Sequence, residues 1–121
     1  MQISKQKVNR ALDKQLSAML YQLIVDIKNP EDAEKIFNNL LSDTELTTLI
    51  KRLGVAYWLT KKRSYEVIKT NLKVSSATIA TLGREIKNPG WQMAIKKVLA
   101  EEWATKWEEK IKKLINPNAS R

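Results

Sequence analysis

The chain has 121 residues, 43% of them hydrophobic, with three glycines, three prolines, no cysteine, no histidine and a net charge of +9. A chain of this length suits one domain, 1–121, and the scarcity of turn-makers predicts an all-α fold of long helices. Without cysteine or histidine, disulfides, thiolate chemistry and the commonest general base and metal ligand are excluded, so neither an enzyme nor a cofactor is expected.

Val8, Leu12, Leu16, Met19, Leu20, Leu23 and Ile27 recur at steps of three and four and predict one long amphipathic helix. Ser4 is its expected cap, and Asn29-Pro30 stops it. Pro30 fits the first position of a second helix, Glu31 and Asp32 suit its positive end, and Ala33, Ile36, Phe37, Leu40 and Leu41 form its apolar stripe. Ser42-Asp43-Thr44-Glu45 has the form of a capping box, from which Leu46, Leu49, Ile50, Leu53, Ala56 and Tyr57 continue as a third helix ending at Lys61-Lys62-Arg63. Ser64 caps a short fourth helix with Tyr65, Ile68 and Leu72 inward, and Ser75 caps a fifth with Ile79, Leu82 and Ile86 inward. Asn88-Pro89-Gly90 ends that helix, and Trp91, Ile95, Val98, Leu99, Trp103, Trp107, Ile111 and Leu114 line a single long last helix, the sixth.

Two short helices about a tight Lys73-Val74 connection are the form of a helix-turn-helix, whose second helix enters the major groove and needs small or polar outward residues. Ser75, Ser76, Ala77, Thr78, Ala80 and Thr81 supply them. The amino-terminal end of that helix also presents amides and a dipole to a phosphate. Ser64 stands at the start of the motif, and Lys61, Lys62, Arg63, Lys69, Lys73, Arg84 and Lys87 surround it as candidate phosphate contacts. The charge distribution agrees: residues 1–41 carry +1, residues 42–90 carry +5 and residues 91–121 carry +3.

From Asp43 to Ile86 the order of capping box, Arg52-Leu53, basic turn, Ser64-Tyr65, Ile68 and Ser75-Ser76-Ala77-Thr78-Ile79 resembles the Trp repressor superfamily, especially its Trp repressor-like branch. The resemblance implies an intertwined homodimer. Its dimerisation helices would be 1–41 and 91–115, and its DNA-reading head 43–87. It further implies a sequence-specific transcriptional regulator, a repressor, with double-stranded DNA as partner. It places Ser76, Ala77, Thr78 and Ala80 toward bases and Lys69 near the DNA. Arg52 is similar to one arginine of the family's tryptophan pocket. Thr81 stands where the second, carboxylate-pairing arginine is found and Leu82 where a glycine leaves room for the indole, so a tryptophan co-repressor is not expected. Lys73 replaces the turn glycine.

The tryptophans of the last helix, at helical spacing on an apolar stripe, read as core or dimer interface, and Trp58 as packing beneath the reading head. The carboxylates Glu101, Glu102, Glu108 and Glu109 read as partners of Lys106, Lys112 and Lys113 on the helix surface. The alternative to sequence readout is a basic helical interaction module that binds RNA or an acidic partner. A membrane is not expected, since no apolar run approaches the roughly eighteen residues of a span. The first twenty residues are unlike a secretory leader, so the expected location is cytoplasmic.

Overall fold

The computed structural model describes residues 3–115, apart from the side chains of residues 103–105 and 108. Among the described residues there are seven α-helices and no strand: α1 (Arg10–Asp26), α2 (Pro30–Leu40), α3 (Asp43–Thr60), α4 (Tyr65–Leu72), α5 (Ser76–Glu85), α6 (Pro89–Thr105) and α7 (Trp107–Lys112). The chain forms two compact units, Met1–Ser42 and Asp43–Arg121.

In the first unit α1 starts later than the sequence predicts. Ser4 Oγ does accept a local amide, from Gln6 (3.1 Å), but Asn9 Oδ1 serves both Ala11 N–H (2.9 Å) and Leu12 N–H (3.2 Å), so the helix begins behind Asn9. Ile27 is extended, and Asn29 then caps α2 by accepting from Asp32 N–H (2.8 Å), with Pro30 at the first helical position. No residue of α1 or α2 is buried, and Leu12, Leu16, Met19, Leu20, Leu23 and Ile24 are all exposed. The elbow leaves an open groove of ≈ 350 Å³ lined by Ile24, Ile27, Pro30, Ala33 and Phe37.

The second unit is built on α3, which packs against α4, α5 and α6. Its core is Val55, Tyr57, Trp58, Val67, Ile68, Ile79 and Leu82, with Trp91, Val98, Leu99 and Ile111 packed against it. Only the last part of α3 is buried: Leu49, Ile50 and Leu53, three members of its predicted stripe, remain exposed. Gly54 allows the close approach of α4, since a Cβ there would stand 3.3 Å from Leu72 Cδ1.

The predicted single last helix is broken. Lys106 adopts a left-handed conformation (φ 56°) between α6 and α7, so one apolar stripe cannot run through both. Ile111 and Ile115 turn toward the core, whereas Trp107 and Leu114 are exposed; the side chain of Trp103 lies outside the described residues. No described helix is long and apolar enough to cross a membrane.

Candidate nucleic-acid interface

The motif is held at both ends of α4 by lysines in left-handed geometry. At the end of α3, Arg63 N–H donates to Trp58 O and Lys62 N–H to Leu59 O, both at 3.0 Å, around Lys62 with φ 63°. This paired bonding is a Schellman cap, which satisfies carbonyls that the helix leaves orphaned. Ser64 then opens α4, accepting from Val67 N–H (3.2 Å). Lys73 closes α4 with φ 55°, and Lys51 Nζ donates to its carbonyl (3.3 Å), a contact between residues distant in sequence that the reading of local patterns missed.

Ser75 accepts from Thr78 N–H (3.1 Å) and donates its hydroxyl to Thr78 Oγ1 (3.0 Å), which fixes the first turn of α5. Ile79 and Leu82 anchor α5 in the core. Its remaining side chains divide accordingly: Ser76, Ala77, Thr78, Thr81 and Arg84 are exposed, and Ala80 is half-buried on the flank. Arg84 Nη2 donates to Thr81 Oγ1 (3.4 Å). The exposed face is small and polar, as a helix that approaches base edges requires.

Of the predicted phosphate contacts, Lys62, Lys69, Lys73, Arg84 and Lys87 are exposed, as are Ser64 and Ser75. Lys61 and Arg63 are engaged within the protein. Lys61 Nζ pairs with Glu102 Oε1 at 2.6 Å and lies 5.9 Å from the Tyr57 ring centroid, and Tyr57 Oη donates to the same carboxylate oxygen (3.2 Å). Glu102 therefore ties α6 to the end of α3 through Tyr57 and Lys61, a partner outside the lysines that the sequence offered its carboxylate group. Arg63 is half-buried with its guanidinium over Trp58, 5.2 Å from the ring centroid.

Between α3 and α5 lies a shallow pocket of ≈ 240 Å³ lined by Arg52, Ala77, Thr78, Thr81 and Leu82. Leu82 is almost wholly buried beneath it, and Arg52 is the only cation of that lining. Arg52 Nη2 stands 3.6 Å from Glu85 Oε1, and its guanidinium lies 5.7 Å from the centroid of Trp91. Glu85, at the end of α5, was not among the site residues read from the sequence, because its partner lies on another helix. Among the described residues no cluster of acidic side chains is arranged to hold a metal.

Two short helices about a tight turn, the second one presenting small polar residues and both flanked in sequence by exposed cations, have the form of a helix-turn-helix. The family described as Trp repressor protein matches residues 14–100. The chain belongs to this family of DNA-binding regulators. It is similar to a protein of Bacillus subtilis (strain 168) named "Uncharacterized protein YerC", with 31% identity over 85 residues, covering 69% of this chain and 82% of that protein. The family match takes in α2 to α5 and most of α1 and α6, and ends before α7.

Proposed function

We propose that the protein is a sequence-specific transcriptional regulator, a repressor, that binds double-stranded DNA as a homodimer with α5 in the major groove. The observation that carries this reading is the exposed face of α5. Thr78 and its neighbours Ser76, Ala77 and Thr81 stand clear of the core, and Lys62, Lys69, Lys73, Arg84 and Lys87, exposed in the same stretch of chain, are available to take phosphates. The homodimer is supported by α1 and α2, in which no residue is buried and Leu12, Leu16, Met19, Leu20 and Leu23 are exposed. The regulator takes no tryptophan as co-repressor: the pocket beside α5 has one cation, already facing Glu85, and a leucine beneath it.

The test compares Thr78→Ala with Lys69→Ala on a site selected from random DNA and on a scrambled duplex, at several salt concentrations. Thr78→Ala should lower the preference for the selected site by about 1–3 kcal/mol, the worth of a base contact. Lys69→Ala should weaken both duplexes alike and flatten the salt dependence by about one unit of slope. Added L-tryptophan should change none of these values. An unaltered preference in Thr78→Ala would place base reading elsewhere, and equal binding of RNA and all duplexes would favour a basic interaction module.

A further inference from the structure

We propose that Glu85 is a positioning residue that sets the specificity of the reading head: it holds the Arg52 guanidinium in an internal ion pair and so withholds one cation from the DNA backbone. The inference rests on the reading of α5 as the recognition helix. Arg52 belongs to α3, yet it lines the shallow pocket together with Ala77, Thr78 and Thr81, which are exposed on α5. A duplex seated on those three residues therefore meets Arg52 at its edge, where the groove is walled by phosphates.

Only this pair keeps the guanidinium turned from the duplex, and one substitution releases it. The pair stands 3.6 Å apart, from a terminal nitrogen to a carboxylate oxygen, with the side chains 42% and 32% exposed. An ion pair so open to water is weak. With the carboxylate removed, a phosphate offers the guanidinium a charged acceptor and the contact releases a condensed counterion. The Trp91 ring beneath the guanidinium keeps it beside α5 whichever anion it faces.

Backbone attraction carries no sequence information, so its strength decides how firmly the protein holds DNA that it should leave. On a random duplex no base contact fixes the register, and the protein settles wherever its cations find phosphates. A freed Arg52 therefore adds more to random binding than to cognate binding. Glu85 suppresses that addition.

The test uses the full-length protein with Glu85→Gln, whose amide keeps the size of the carboxylate, and with Arg52→Gln combined with Glu85→Gln. Binding to the selected site and to a scrambled duplex is measured across salt concentrations, with thermal melting to establish folding. Glu85→Gln should bind the scrambled duplex roughly threefold to tenfold more tightly, with a salt slope steeper by about one unit and a lower cognate-to-random ratio. The double variant should return to the wild-type slope. A wild-type slope in Glu85→Gln overturns the proposal, and so does a gain that survives in the double variant, since removal of one negative charge would then suffice. Thr78→Ala, run alongside, separates the two readings: if it erodes cognate preference while Glu85→Gln changes nothing, the Glu85 proposal alone falls. If Thr78→Ala leaves the preference intact, the assignment of α5 and the role of Glu85 fall together.

Discussion

Among the described residues, three other than glycine have positive φ, and all three are lysines: Lys62, Lys73 and Lys106. A side chain in left-handed geometry carries a penalty of roughly 1–2 kcal/mol that glycine escapes, though glycine gives back part of it through the freedom it gains in the unfolded chain. Lys73→Gly should therefore raise stability by about 0.5–1 kcal/mol, read as a melting temperature a few degrees higher. The Lys51 contact survives the change because it is made to the backbone carbonyl. A lower melting temperature would show that the Lys73 side chain contributes more than its backbone geometry costs.

At the scale of helices, the starts of α2, α4 and α5 were legible in the sequence, and the start of α1 and the break between α6 and α7 were not. Asn29, Ser64 and Ser75 each cap their helix by accepting an amide three residues on, a bond decided by local chemistry alone. The break at Lys106 was hidden because the apolar spacing from Trp91 to Leu114 continues across it and no glycine marks the turn. The exposed face of α5 was legible for a similar local reason, since Ile79 and Leu82 fix which side turns inward. What the sequence could not display is the pairing of side chains from different helices. Lys61 reads as one more cation of the basic turn, yet Glu102 of α6 already faces it. Lys61→Ala should thus leave the salt slope for DNA within a few tenths of wild type, unlike Lys69→Ala, and lower stability by up to ~1 kcal/mol for a partly exposed pair. A slope flattened by a full unit would show that Lys61 leaves Glu102 for a phosphate.

For the molecule as a whole, the unit Met1–Ser42 has two well-capped helices and, among its described residues, no buried side chain. Capping bonds do not hold two helices folded unless an apolar face is also covered. Light scattering at micromolar concentration should give a mass of twice the 13.9 kDa chain. Replacing Leu16 and Leu20 together by Asp should return it to that of one chain, and a monomeric wild type would remove the basis for the homodimer.

The left-handed lysines have a consequence for anyone evolving this protein in the laboratory. At Lys62 and Lys73 the same side chain strains the turn and offers an exposed cation to the proposed interface. Resistance to heat and grip on DNA then pull these two positions in opposite directions. A screen that rewards survival at high temperature should enrich glycine there, and the survivors should come off DNA at lower salt than their parent.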